Sequence, residues 1–296
     1  MTSHFGDRLS AALASTGTPL CVGIDPHKGL MPDLACQNGK VTLDGLRQFS
    51  MNVVEAASGF VPAVKPQAAM FEAFGPEGVA ILSETARAAR KAGLLVIMDA
   101  KRGDIGSTSA AYAEAYLGDD APFASDALTV NPWMGIDTLM PFIERAEASG
   151  SGLFILVRTS NGGAADLQEL ETDGMLVYQK LAQKLAPLIE KANGKSGLSS
   201  FGIVAGATVP EQAKALRALL PSAPFLIPGF GAQGAGPAHA TIALSKQQNA
   251  FGGGLVNSSR AIIFCDEAQK AQDNQSHIKA MRGAIKEQIA LLNSAL

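Results

Sequence analysis

Residues 94–108 read LLVIMDAKRGDIGST, an apolar run that passes directly into two aspartates, a lysine and an arginine within six positions. The run 94–99 has the length and the apolar content of a buried strand. Because successive side chains of a strand alternate between its two faces, Asp99 and Lys101 point in the same direction. Charge is therefore concentrated where this strand leaves its core.

Seven other apolar runs resemble this one, and stretches with the apolar spacing of helices lie between them. The eight runs are LCVGID (20–25), FVPAVK (60–65), LLVIMD (94–99), ALTVN (127–131), GLFILV (152–157), FGIVAG (201–206), PFLIPG (224–229) and GGLVNS (253–258). Apolar strands that alternate with helices are typical of a parallel sheet covered by helices. Eight units without a linker favour a closed (β/α)8 barrel, a TIM barrel, over an open doubly wound sheet. We expect residues 1–296 to form one such α/β barrel domain, with short N-terminal and C-terminal helices.

The composition indicates a soluble globular protein without a nucleic-acid or membrane partner. Of the 296 residues, 47% are hydrophobic and 17% are charged, which is enough to bury a large core. The formal net charge of -3 gives no basic surface for nucleic acid or anionic lipid. No segment has the apolar length of a signal peptide or a membrane span. We therefore expect a cytoplasmic protein whose anionic ligands are held by a local site.

Cysteines and histidines give no indication of a metal centre. The three cysteines are odd in number and lack C-x-x-C spacing, which favours reduced thiols over a metal or disulfide role. The four histidines do not cluster at metal-ligand spacing, and we expect them at the surface or at helix caps. They are His4, His27, His239 and His277.

Charged side chains gather where the predicted strands end, which is the face of a (β/α)8 barrel that carries function. Lys65 ends the second run, and Asp99, Lys101 and Asp104 end the third. Such an alternating array is either a structural cluster of ion pairs or a device for handling charge and protons. The small, hydroxylated residues that follow, GDIGSTS, leave room for a ligand. By contrast, Asp25 before Pro26 would by itself fit an ordinary turn or cap.

The seventh unit contains GFGAQG (229–234), which formally matches the dinucleotide-binding fingerprint G-x-G-x-x-G. Two observations oppose that reading: the motif follows the seventh strand, and no ribose-binding acid stands about 20 residues later. The loop fits better as a source of backbone N–H groups for a single phosphate. Arg260, just past the eighth strand, would be the bidentate cation for the same phosphate.

Several of these motifs together resemble the orotidine 5′-phosphate decarboxylase family. They are the D-x-K-x-x-D of MDAKRGD, the lysine of AVKPQ, the IDP of the first strand, the PGFGAQG loop and the arginine after the last strand. NPWMG after strand four and VRTSNGGA after strand five are similar to the longer bacterial branch of that family. The resemblance implies decarboxylation of orotidine 5′-phosphate to uridine 5′-phosphate (UMP) in pyrimidine biosynthesis. It also implies a nucleotide substrate and no metal, flavin or nicotinamide cofactor.

The resemblance further implies roles for individual residues. The charged array would consist of Lys65, Asp99, Lys101 and Asp104, with Lys101 protonating C6 of the pyrimidine as carbon dioxide leaves. Asp25 and Lys65 would contact the ribose hydroxyls, and Ser160 would form a hydrogen bond with the base. Gln233 and Arg260 would bind the 5′-phosphate. Thr108 is a further implied substrate-binding residue. Asp104 and Thr108 resemble residues that reach into the neighbouring subunit's site, which implies a homodimer with shared active sites.

Two alternatives remain at this point. Metal-dependent sugar-phosphate decarboxylases and synthases share D-x-K-x-x-D but carry a carboxylate in place of Lys65. A barrel that binds a phosphate ligand without catalysis is the second alternative, and an intact Lys101 argues against it.

Overall fold

Eight parallel strands close into a barrel in the computed structural model, which describes residues 4–207, 209–231, 236–247 and 250–296. Each strand pairs with the strands before and after it in the chain, and the first pairs with the eighth. The first to eighth strands are Leu20–Ile24, Ala63–Pro66, Leu95–Arg102, Ala127–Val130, Gly152–Arg158, Phe201–Ala205, Phe225–Ile227 and Gly254–Ser258. All eight apolar runs are strands, and the predicted (β/α)8 barrel is confirmed.

Helices lie between the strands and cover the outside of the barrel. The described α-helices are Phe5–Thr16, Leu43–Ala57, Ala68–Glu72, Gly75–Lys91, Gly106–Tyr116, Met140–Ser149, Ala165–Gln168, Val177–Lys191, Pro210–Leu219, Pro237–Thr241, Arg260–Ile263, Asp266–Gln269 and Asn274–Asn293. Short 3-10 turns cover Asp33–Ala35, Ile136–Leu139 and Gly162–Ala164. None of the helices in the described ranges is both long and apolar enough to cross a membrane.

Three small two-stranded antiparallel sheets lie in the loops between the barrel units. They join Cys36–Gln37 with Lys40–Val41, Glu171–Thr172 with Met175–Leu176, and Ser245–Gln247 with Ala250–Gly252. The first two lie in the insertions after strands one and five, outside the barrel sheet.

The helix Phe5–Thr16 closes the N-terminal end of the barrel. Its Phe5 ring packs edge-on against Phe154 of the fifth strand, with ring centroids 6.1 Å apart. A Cβ atom at Gly152 would lie 2.2 Å from the Phe5 ring, so only glycine fits beneath it. The Asp7 carboxylate accepts the Ser196 N–H at 2.7 Å, and Arg8 pairs with Asp126. This end of the barrel is therefore sealed.

The barrel interior changes from apolar to polar along the strands. Inward positions near the N-terminal end carry apolar side chains, among them Cys21, Ala63, Ile97, Ala127 and Phe154. The next inward positions, two residues further along, are polar in the second, third and fourth strands. Any ligand site inside the barrel must consequently lie at the C-terminal end of the strands.

His277 differs from the expectation for the histidines. His4 begins the first helix as its cap, and His27 and His239 are exposed. His277, however, is buried against Phe49 and lies 3.1 Å from the Asn52 side-chain amide. The prediction of a surface or capping role was wrong there, because the final helix turns this residue towards the helix Leu43–Ala57.

Candidate active site

A cavity of about 440 Å³ opens at the C-terminal end of the barrel, a volume within the usual range for small-molecule sites. Its walls combine the polar ends of the strands with a few apolar side chains. It is lined by Asp25, Lys65, Gln67, Asp99, Lys101, Thr129, Leu156, Thr159, Ser160, Asn161, Val204, Leu226, Pro228 and Asn257. The predicted residues Asp25, Lys65, Asp99, Lys101 and Ser160 are thus brought together around one space.

Asp99 is the centre of this group, and four donors surround its buried carboxylate. Its Oδ2 accepts from the Lys65 ammonium at 2.8 Å and from the Gln67 amide at 3.1 Å. Its Oδ1 accepts from the Lys101 ammonium at 2.5 Å and from the Thr129 hydroxyl at 3.0 Å. Burial by itself would raise the pKa of Asp99, but the two ammonium groups outweigh burial and hold the pKa below its ordinary value. The carboxylate is therefore ionised.

Lys65 is buried, and it lies between two carboxylates. Its Nζ is 2.8 Å from Asp99 Oδ2 and 4.0 Å from Asp25 Oδ1. Burial would lower the pKa of Lys65, but Asp99 and then Asp25 outweigh burial and raise the pKa above its ordinary value. A second cation thus stands permanently beside Asp99, deeper in the barrel than Lys101.

Lys101 extends into the cavity from an unusual backbone conformation. Its φ of 47° lies in the left-handed region, which L-residues other than Asn and Asp seldom adopt. The side chain is 46% exposed, although its ammonium touches Asp99. The lysine therefore presents a charged group at the boundary between the buried array and the open cavity.

Three other predicted residues lie near this face without lining the cavity. Asp104 accepts the N–H of Ile105 at 2.8 Å, and within the described ranges it forms no ion pair. Thr108 is exposed on the helix Gly106–Tyr116, and Arg260 is exposed at the first residue of the helix after strand eight. Gln233 lies outside the described residues.

The sequence alone assigned no role in the site to Gln67, Thr129 or Asn257, although Asn257 stands among the polar residues at the strand ends. Gln67 and Thr129 bond the Asp99 carboxylate, and Asn257 lines the cavity from the eighth strand. Two of these residues could have been placed in the barrel interior from the alternation of side chains along a strand, which places every second residue on the inward face. Gln67 follows Lys65 by two positions, and Thr129 follows the inward Ala127 by two positions.

The family model described as the orotidine 5′-phosphate decarboxylase / HUMPS family matches residues 18–273, which span the strands that build this cavity. The chain belongs to this family. The match includes Asp25 on the first strand's end and Arg260 after the eighth.

Relatives within the orotidine 5′-phosphate decarboxylase family align over most of the chain. An orotidine 5′-phosphate decarboxylase of Rhodopirellula baltica is 42% identical over 292 residues, covering 95% of this chain and 96% of the relative. One of Streptomyces coelicolor is 48% identical over 235 residues, covering 79% of this chain and 81% of the relative. The solved structure of Leishmania donovani orotidine monophosphate decarboxylase superposes with a TM-score of 0.74 at 31% identity, covering 99% of this chain and 98% of that one.

Proposed function

We propose that this protein is a carboxy-lyase that converts orotidine 5′-phosphate to UMP in pyrimidine biosynthesis, in the cytoplasm and without a cofactor. The observation that carries the proposal is the line of Lys65, Asp99 and Lys101 at the cavity wall, with both lysines in contact with one carboxylate. Family membership and relatives named for this reaction support the same substrate.

The chemistry needs positive charge beside C6 of the pyrimidine. When the bond between C6 and the carboxylate breaks, carbon dioxide leaves and the electron pair stays on C6, with no adjacent π-acceptor to spread it. The Lys101 ammonium is held against Asp99 before the reaction begins, so a positive charge is already fixed at the cavity wall where the electron pair would develop on C6. The Lys101 ammonium then transfers one proton to C6, which completes UMP and leaves a neutral amine.

The remaining side chains would hold the rest of the nucleotide. Asp25 has a buried Oδ1 with no hydrogen-bond partner among the described residues, so it can accept from a ribose hydroxyl. Lys65 would contact the ribose beside it, and Ser160, which also lines the cavity, would bond the base. Gln233 and Arg260 would hold the 5′-phosphate. Grip on this remote phosphate can order the site around the reacting carbon.

A homodimer with shared sites is part of the proposal. Asp104 and Thr108 would contribute to the neighbouring subunit's site, as the family resemblance implies, and neither lines the cavity of its own chain. Two large apolar side chains near these residues are exposed, which supports the proposal that a second copy of the chain packs on this face. Ile105 is 62% exposed and Trp133, after the adjacent fourth strand, is 72% exposed.

Lys65 distinguishes this proposal from the metal-dependent sugar-phosphate relatives. Its ammonium lies 2.8 Å from the Asp99 carboxylate, so a divalent cation at the same carboxylate would meet two lysines. That repulsion favours the cofactor-free decarboxylation over metal-assisted chemistry at this wall.

The test is the loss of orotidine 5′-phosphate absorbance on incubation with EDTA-treated enzyme. We expect full turnover, with UMP and carbon dioxide as products. No turnover would disprove the proposal, and turnover that returns only with a divalent metal would assign the chain to metal-dependent chemistry. Tight binding of UMP without turnover would favour a non-catalytic binding barrel.

A further inference from the structure

We propose that Thr129 is the positioning residue that holds Lys101 in its reactive conformation. The inference rests on the proposed function, since it concerns the lysine that would deliver the proton. Thr129 is buried on the fourth strand and contacts both Lys101 and Asp99 through its single hydroxyl oxygen.

The backbone around Lys101 departs from the regular ladder. Strand three pairs with strand four at Met98 with Leu128 and again at Arg102 with Val130, so residues 99–101 lie opposite Thr129 alone. The Lys101 N–H therefore has no regular partner, and it donates instead to the Thr129 hydroxyl oxygen at 2.9 Å. This bond ties down the one residue of the segment that has a left-handed φ.

The Thr129 hydroxyl also donates a hydrogen bond, and this bond restrains the ammonium end of Lys101 through Asp99. A threonine hydroxyl has one proton to donate. The Asp99 carboxylate at 3.0 Å is charged and closer than the Met98 carbonyl at 3.5 Å, so the proton goes to Asp99. The same Asp99 oxygen accepts from the Lys101 ammonium at 2.5 Å. Thr129 thus restrains Lys101 at both ends, at its amide directly and at its ammonium through Asp99.

Without the hydroxyl, both restraints are lost while the shape of the strand is kept. Valine has the volume of threonine but can neither accept the Lys101 N–H nor donate to Asp99. We expect Lys101 to sample backbone conformations that move its ammonium away from C6, and small misplacements at a reacting centre lower kcat strongly.

The experiment compares Thr129→Val, Thr129→Ser and the parent, with Thr85→Val as a matched control. Thr85 is equally buried, and among the described residues its hydroxyl donates to the Ile81 carbonyl of its own helix, away from the cavity. For Thr129→Val we expect kcat to fall about 10- to 100-fold while KM and the Kd for UMP change less than about threefold. Thr129→Ser should keep kcat within about threefold of the parent, because it retains the hydroxyl. Thr85→Val should lower thermal stability and leave kcat unchanged.

A second measurement does not depend on activity. Hydrogen exchange of the Lys101 amide should be slow in the parent and in Thr129→Ser, and about tenfold or more faster in Thr129→Val. An inactive parent with this exchange pattern would refute the proposed function and keep the positioning role. An active parent whose Thr129→Val variant matches it in kcat, or an equal loss in the valine and serine variants, would overturn the inference.

Discussion

Lys65 and Lys101 share the Asp99 carboxylate but differ in exposure, and this difference separates their tasks. Lys65 is buried between Asp99 and Asp25, so its charge is a fixed part of the wall. Lys101 keeps nearly half of its side chain in the open cavity, where a substrate atom can reach the ammonium. Under the proposed function, Lys101 is therefore the cation that would deliver the proton to C6.

Replacing Lys101 by alanine should therefore abolish turnover while UMP binding stays within about an order of magnitude of the parent, because the proton is needed in the transition state and not by the product. Steady-state kinetics and calorimetric titration with UMP measure the two quantities. Lys191→Ala, at the exposed C-terminus of the helix Val177–Lys191, is the control and should change neither. Equal losses of binding and rate in Lys101→Ala would contradict the assignment.

Arg260 would bind a different part of the proposed ligand, its 5′-phosphate. Arg260→Ala should weaken UMP binding by about 2 to 4 kcal/mol, because it removes a charge-assisted contact. Uridine lacks the phosphate and should bind variant and parent alike. Arg87→Ala, an exposed arginine on another helix, should bind both ligands as the parent does. A comparable loss for uridine would remove Arg260 from the phosphate site.

The charged residues of the site could be predicted from the sequence, but the uncharged side chains that form hydrogen bonds with Asp99 could not. Carboxyl ends of parallel strands meet at one face, and that rule alone brings Lys65, Asp99 and Lys101 together. Thr129 could not be singled out from the sequence, because a threonine is common in any strand and does not by itself indicate a functional site. Its role depends on the irregular register between strands three and four, which no local pattern reveals.

At the scale of elements, the ring of helices closes where the final helix Asn274–Asn293 meets the helix Leu43–Ala57. The contact contains a polar group of three side chains. Asn52 donates to Asn274 at 3.0 Å and lies 3.1 Å from His277. Burial lowers the pKa of His277, so the folded protein holds the ring neutral.

This contact should make stability depend on pH. A histidine in the unfolded chain takes up a proton near pH 6.5, whereas the lowered pKa keeps folded His277 neutral to lower pH. The free energy of unfolding should therefore fall as the pH drops below about 6.5, and one histidine can contribute at most about 1.4 kcal/mol per pH unit to this fall.

Denaturant unfolding at several pH values between 5.5 and 7.5 measures the effect. His277→Gln should flatten the slope of stability against pH, whatever its effect at neutral pH. His27→Gln is the matched control, because His27 is exposed, and it should keep the parent slope. A slope that is the same in all three proteins would show that His277 does not titrate on unfolding.

The alternation of strands and helices was readable from local patterns, and the eight strand positions followed from it. The burial of His277 and the docking of the first helix were not readable. Both depend on partners more than 180 positions away in the chain, and sequence periodicity carries no information about such pairs.

At the scale of the whole molecule, the core that packs strands against helices includes side chains from Leu20 to Leu292. This continuity supports the proposal that residues 1–296 form one domain. The proposed function adds a second chain, whose Asp104 would complete each site, so activity would be a property of the pair.

Complementation between inactive variants tests this sharing. Lys101→Ala and Asp104→Ala homodimers should each be nearly inactive, because every site lacks one member of the array. Refolded together, half of the dimers are mixed under random pairing, and each mixed dimer has one intact site. The recovered rate should approach about a quarter of the parent rate per chain, given two-fold symmetry. Verified mixed dimers that stay inactive would place Asp104 in its own chain's site.

The seal at the N-terminal end of the barrel has a consequence for biosynthesis. The helix Phe5–Thr16 leaves the ribosome well before its partners, because His4 contacts the Ala192 carbonyl and Asp7 contacts Ser196. At typical elongation rates, those partners are made roughly 10 to 40 s after the helix. During that interval Phe5 and Leu9, both fully buried in the finished protein, have no barrel to cover them. This helix is thus synthesised early and docks late, so its apolar face stays exposed to solvent in the nascent chain until residues 192–196 have been made.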